Sequence, residues 1–266
     1  MTDWRFRRAS LSVGPRLHYA EYGDSAGRPI VLLHGWPDSW FSYSRLVPLL
    51  PGNFRAFVLD QRGFGESERP AYGYGIDEFA ADVVRFLDAV GVARALVVGH
   101  SFGSFVARQV AATYPERVER LVLIGTGFSA SNPVTRDVQA SIRELSDPVP
   151  RDFARDFQAS TAYVPLTEAF FDRIVSESLK LPAYLWREIF DQLLAHHPEP
   201  ALSHITTPTL LMWGDRDALF SREDQDRLLA AIRGSQLTIY VETGHCPNWE
   251  RPERVAADLA AFAARR

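Results

Sequence analysis

Ala95-Leu96-Val97-Val98-Gly99-His100-Ser101-Phe102-Gly103-Ser104 decides how this chain is read. An apolar run ends in a glycine and a second glycine follows Ser101 by two places, giving the pattern G-x-S-x-G. The segment that follows, Phe102–Tyr114, carries apolar residues at helical spacing. A strand that turns directly into a helix holds its middle residue in a strained conformation. Side chains two places before and after it would collide with neighbouring backbone, which accounts for both glycines. The strain projects the Ser101 hydroxyl out of the turn, where the unpaired N–H groups and dipole of the new helix favour negative charge.

Outward from this turn, short apolar runs alternate with amphipathic segments. Ile30–Leu33, Phe57–Leu59, Ala95–Val98, Leu121–Ile124 and Thr209–Trp213 read as strands buried on both faces, the mark of parallel strands covered by helices. Between them, Ile76–Val90 places Phe79, Val83, Phe86, Leu87 and Val90 on one helical face. Alternation of this kind predicts an α/β sheet with right-handed crossovers. At the N-terminus, Trp4–Val13 and Arg16–Tyr22 joined at Gly14-Pro15 read as an antiparallel hairpin. From about Phe128 to Ser203 no strand-like run occurs, only helical spacing broken by Pro133, Pro148, Pro150, Pro165, Pro182 and Pro198. The expected organisation is a core of residues 1–127 and 204–266 with an all-helical cap of residues 128–203 inserted into it.

Composition narrows the function. With 266 residues, 46% apolar and 23% charged, the chain can bury a sizeable core without staples. The one cysteine, Cys246, cannot form an internal bridge, and with no apolar leader or membrane span the expected location is the cytoplasm, away from membranes. Twenty-nine basic and 33 acidic residues are interspersed, so no basic patch points to nucleic acid. A small-molecule substrate is expected; oligomeric state is not legible.

A serine hydroxyl needs a base to take its proton, and seven histidines compete for that role. His18 lies in the hairpin, His34 and His100 beside tight turns, His196 and His197 at the end of the insert, and His204 before a strand. His245 follows the strand-like run Leu237–Val241 in Thr243-Gly244-His245-Cys246-Pro247, at the sheet edge where reactive groups of open α/β folds gather. His245 is therefore the expected base. The acid that orients it is sought in Trp213-Gly214-Asp215-Arg216-Asp217. Asp217 is preferred, because Asp215 lies close enough to the strand end to cap the turn instead. The order Ser101, Asp217, His245 follows. An oxyanion needs two backbone donors, expected from Phe102 and from Trp36 in the loop His34-Gly35-Trp36-Pro37. His34 reads as a structural hydrogen-bonder and Cys246 as a packing residue.

HGWPD at His34–Asp38, DQRGFGES at Asp60–Ser67, GHSFG at Gly99–Gly103, WGDRD at Trp213–Asp217 and GHCPNWERPE at Gly244–Glu253 together resemble the α/β-hydrolase superfamily. The resemblance covers almost the whole chain. It implies a mostly parallel eight-stranded sheet, a helical cap after the sixth strand and a Ser–His–Asp triad beneath it: Ser101 as nucleophile, Asp217 as acid, His245 as base, Trp36 and Phe102 as oxyanion donors. The HGWPDSW loop is most similar to epoxide hydrolases and their dehalogenase relatives, which use an aspartate where this chain has Ser101. A carboxylate opens an epoxide or displaces a halide, whereas a serine alkoxide suits acyl transfer at a carbonyl. Ser104 departs as well, where relatives often carry another glycine.

The resemblance implies a serine hydrolase of a small, apolar or aromatic carboxylic ester or lactone, needing no metal or organic cofactor. Alternatives are a hydrolase of carbon–carbon bonds beside a carbonyl and a small-molecule receptor that retains the triad. Most of the cap's rings, Phe153, Phe157, Tyr163, Phe170, Phe171, Tyr184, Trp186 and Phe190, are expected to pack. Trp40 and Phe128, on loops at the catalytic edge, are the expected substrate-binding walls.

Overall fold

A computed structural model describes residues 4–197 and 199–265, without the side chains of residues 199 and 200; the break expected at Pro198 lies outside them. Eight strands form one sheet: β1 (Arg5–Ser10), β2 (Arg16–Gly23), β3 (Arg28–Leu33), β4 (Phe54–Leu59), β5 (Ala95–His100), β6 (Val118–Ile124), β7 (Thr209–Gly214) and β8 (Gln236–Tyr240). Their spatial order is β1-β2-β4-β3-β5-β6-β7-β8. β1 and β2 pair antiparallel, as do β2 and β4, and every pairing from β4 onward is parallel. The expected hairpin and α/β sheet are both present.

The strands from β3 to β7 are apolar because both faces of the sheet are covered. One face meets α1 (Ile76–Ala89) and α2 (Phe102–Thr113); the other meets α10 (Pro252–Ala264). In α1 the stripe Phe79, Val83, Phe86 and Leu87 is fully buried, each residue contributing roughly 1.5–3 kcal/mol. Alternate residues of a strand serve opposite layers: Val31 and Leu33 join the first, Ile30 and Leu32 the second.

Between β6 and β7 lie α3 (Pro133–Ile142), α4 (Arg151–Thr161), α5 (Glu168–Ser178), α6 (Ala183–Ala195) and α7 (Glu199–Leu202), with no strand among the described residues. The insertion starts at a reciprocal cap: the Asn132 side chain accepts from the Thr135 N–H, the Thr135 hydroxyl accepts from the Asn132 N–H, and Pro133 stands in the first turn. After β7 come α8 (Arg222–Ala231) and, after β8, the short α9 (Pro247–Glu250).

Topology creates the site. After β3 the chain moves to β4 on one side; after β4 it crosses to β5 on the other, so the loops leaving β3 and β5 part at a crevice. Because β3 to β8 all run the same way, the loops after β3, β5, β6, β7 and β8 meet at one edge of the sheet.

Candidate active site

Ser101 occupies the turn between β5 and α2 with φ 51° and ψ −121°, a conformation that costs a non-glycine residue on the order of 1–3 kcal/mol. It is held there by its own N–H, which donates to Ile124 O (2.9 Å) on β6, and by packing too tight for side chains at either glycine. A Cβ at Gly99 would strike the backbone of Gly103, and one at Gly103 would strike the carbonyls of Leu33 and His34. Ser104, the residue that departs from the common glycine, is accommodated by hydrogen bonds: its hydroxyl donates to Ser101 O (2.5 Å) and lies 2.8 Å from Thr126 Oγ1.

His245 lies in the loop between β8 and α9, buried at 2% exposure. Its Nδ1 is 2.9 Å from Asp217 Oδ2, and the Asp217 side chain is fully buried. A carboxylate only accepts, so this contact places the imidazole proton on Nδ1 and leaves Nε2 as the acceptor of the neutral ring. Nε2 is buried and has no hydrogen-bond partner among the described residues. Asp217 Oδ1 accepts from the N–H groups of Leu219 (2.8 Å) and Phe220 (3.1 Å), so one carboxylate both caps its turn and orients the imidazole. The turn-capping role weighed for Asp215 therefore falls to Asp217; Asp215 points instead toward Arg216, at 3.9 Å.

His100, just before Ser101, and Gly125, beyond the β6 end that holds it, both meet His245. The rings of His100 and His245 have centroids 5.2 Å apart, and His100 Nε2 lies 3.1 Å from His245 O. Gly125, next after the partner of the Ser101 N–H, sits beneath the imidazole: a Cβ there would come 3.1 Å from His245 Nδ1. Burial, and then the neighbouring His245, hold the His100 imidazole well below its ordinary value, so it stays neutral and acts as a spacer. Cys246 is buried with Sγ 3.4 Å from Thr161 Oγ1; burial pushes its thiol well up, which leaves it a packing residue.

The loop after β3 closes over the turn. A Cβ at Gly35 would meet Ser101 Cβ at 3.1 Å, so Trp36 begins within reach of the serine. The Asp38 N–H donates to Gly35 O (3.0 Å), folding the loop around Trp36 and Pro37. His34 is the structural residue the sequence suggests: Nδ1 lies 2.7 Å from Gly35 O, and the Gln61 N–H donates to Nε2 at 3.2 Å.

Ser101 lines a narrow, partly enclosed cavity with about 30 Å³ of free volume. The core supplies Trp36, Phe102 and Phe105; the insertion supplies Ala130, Thr135, Val138, Phe157, Phe190 and Leu193; the loop after β7 supplies Leu219 and Phe220. No ionisable side chain is among these, and the Thr135 hydroxyl is already bonded to Ala130 O (2.8 Å) and to the Asn132 N–H (2.9 Å). Three rings of the insertion, Phe157, Trp186 and Phe190, grip the Trp36 indole at centroid distances of 4.5–5.0 Å.

Trp40 and Phe128 do not line this cavity, contrary to expectation. Trp40 starts a 3₁₀ turn capped by Ser39, which sends its ring toward the hairpin, against Trp4 and Phe6. Phe128 is drawn outward: its N–H donates to Asp224 Oδ1 (3.0 Å), and the Arg227 guanidinium lies 3.8 Å over its ring. Phe157 and Phe190 take their place. Phe105, Thr135, Val138, Leu193, Leu219 and Phe220 carry no motif and were not singled out; their only signal in the sequence is apolar spacing.

The alpha/beta hydrolase fold family model matches residues 28–252, and the chain belongs to that family. Over 94% of its length the chain is 28% identical to "Epoxide hydrolase 4" of Mus musculus, covering 76% of that protein. It is 29% identical to "2-hydroxy-6-oxononadienedioate/2-hydroxy-6-oxononatrienedioate hydrolase" of Klebsiella pneumoniae, with 94% of this chain and 91% of that one aligned. It is 26% identical to "Lipase 3" of Moraxella sp., over 98% of this chain and 85% of that one. Within the described residues no helix is long and apolar enough to cross a membrane.

Proposed function

We propose that the protein is a serine hydrolase of small, uncharged carboxylic esters or lactones. The observation that carries this reading is a strained Ser101 opening on an apolar cavity, with the imidazole of the Asp217–His245 pair packed against the preceding residue, His100. In the proposed reaction Ser101 Oγ attacks the carbonyl carbon while His245 Nε2 takes its proton. Asp217 keeps Nδ1–H in place and stabilises the imidazolium. The oxyanion accepts from the N–H groups of Trp36 and Phe102, each worth roughly 3–4 kcal/mol in the transition state. His245 then gives the proton to the departing oxygen. Water, deprotonated by the same imidazole, attacks the acyl-enzyme, and the acid leaves with Ser101 restored.

The side chain at position 101 argues against epoxide opening despite the kinship with an epoxide hydrolase, because that chemistry needs a carboxylate nucleophile. Kinship with a dienedioate hydrolase brings in carbon–carbon cleavage, but two carboxylates would find no cation in this cavity. Kinship with a lipase agrees with an acyl substrate. The test is turnover of p-nitrophenyl esters from acetate to octanoate. Multiple turnovers are expected, falling by on the order of 10⁵-fold or more in Ser101→Ala. A stoichiometric adduct without turnover would instead support the receptor reading, and full activity in Ser101→Ala would overturn the mechanism.

A further inference from the structure

Asp38 is a carboxyl group with 3% of its surface exposed and no arginine or lysine paired to it among the described residues. Each oxygen meets one neutral donor, and the donors come from different parts of the molecule. Gln158 Nε2, on α4 of the insertion, donates to Oδ1 at 2.8 Å, and Ser42 Oγ, on the core, donates to Oδ2 at 3.2 Å. Ser42 Oγ in turn accepts from Trp249 Nε1 (2.9 Å) in α9, beside the His245 loop. On its other side the Gln158 amide also reaches Ser178 Oγ on α5 at 2.8 Å. The Asp38 N–H meanwhile closes the turn that contains Trp36.

The same stretch of the insertion holds the histidine loop. The His245 N–H donates to Thr161 O (2.9 Å), three residues after Gln158. The buried Glu250 carboxylate accepts from the N–H groups of Tyr163 (3.1 Å), Val164 (2.8 Å) and Gly244 (3.0 Å). The end of α4 therefore touches both loops on which the proposed chemistry depends: the histidine loop through backbone bonds and the Cys246–Thr161 contact, and the Trp36 loop through the Gln158–Asp38 side-chain pair.

We infer that Asp38 and Gln158 are positioning residues: their hydrogen bond couples the seating of the insertion to the shape of the loop that presents the Trp36 N–H. The inference rests on the proposed ester hydrolysis for its kinetic consequence, but the coupling itself does not. With the bond made, the loop is pinned from the insertion, from Ser42 and from its own turn. With it broken, a buried carboxyl loses half of its donors, and the loop relaxes to recover solvent or another partner.

The test is a double-mutant cycle on Asp38→Ala and Gln158→Leu with a p-nitrophenyl ester, together with amide hydrogen exchange over residues 34–40. Each single variant should lower kcat about tenfold with KM within twofold, because a displaced oxyanion donor matters in the transition state and not in ground-state binding. The double variant should fall no further than either single one. Asp38→Asn, which can still accept from Gln158, should restore kcat to within threefold. Should Gln158→Leu not fold, Gln158→Asn, one methylene too short, should lose as much. Amides 34–40 should exchange faster in Asp38→Ala and Gln158→Leu alike. Additive losses of about a hundredfold, or unchanged kcat in the single variants, would overturn the inference. If the wild-type protein hydrolyses no ester, the proposed function fails, while the exchange result still decides the coupling: unchanged protection of residues 34–40 would end it.

Discussion

The loops at the strand ends and the helices inserted between β6 and β7 are built on different principles. Each strand-end loop has one geometry that its backbone enforces: a strained serine locked by glycines, an aspartate that caps its own turn, a histidine loop tied to its neighbour by the Arg216 N–H to Thr243 O bond (2.9 Å). The inserted helices meet the site through side-chain packing and a few hydrogen bonds, with Phe157, Phe190 and Leu193 as wall and Gln158 as tie. The proposed chemistry thus rests on backbone-enforced loops, and its proposed selectivity on interchangeable apolar surface. Variants in the first region should abolish the reaction; variants of the wall residues in the second should redirect it.

The sharpest way to break that contrast is Asp217→Asn. The amide would favour the wrong imidazole tautomer, and kcat should fall by about 10⁴-fold with little change in KM, measured on the preferred ester. A loss below tenfold would mean that Asp217 serves its turn and not His245. Next in size is Leu193→Ala, which removes a buried wall residue. It should cost about 2–4 kcal/mol in urea unfolding and shift the preferred acyl chain one or two carbons longer, whereas Phe128→Ala, outside the cavity, should leave chain-length preference unchanged. Equal shifts in both would return Phe128 to the wall.

The smallest effect concerns Asp38. Burial raises its carboxyl to about 7, against hydrogen bonds from Gln158 and Ser42 and the nearby His245 that favour the charge. The folded protein therefore binds a proton there that the unfolded chain gives up near pH 4. Stability from this group is present below that pH and is lost as pH rises through about 7. Asp38→Asn has no such charge to bury, so the difference in unfolding free energy should move in the variant's favour between pH 4 and pH 8, by a few kcal/mol at most. A pH-independent difference would show that Asp38 is not the group responsible.

These two regions also differ in how far they can be read without coordinates. Ser101, Asp217 and His245 stand out as candidates in the sequence because strained turns and strand ends restrict which residue types can stand there, and parallel strands deliver their C-terminal ends to one edge. Trp40 and Phe128 were misplaced because a loop position says where a backbone passes and not which way a ring turns. A Ser39 cap rotates one, and the Asp224 and Arg227 side chains draw off the other. The role of Asp38 leaves no mark in the HGWPD motif, since its partner lies 120 residues away on a helix whose own pattern shows only an amphipathic face.

The order of apolar runs, the paired glycines and the placement of the three candidate side chains were set locally, by sterics and spacing within a few residues, and so the sequence alone determined the fold class and the candidate chemistry. The cavity's walls, the choice between Asp215 and Asp217 as turn cap, and the tie from Gln158 to Asp38 were decided only in the tertiary structure. Those features depend on side chains from distant segments meeting in three dimensions, and such meetings leave no periodic trace along the chain.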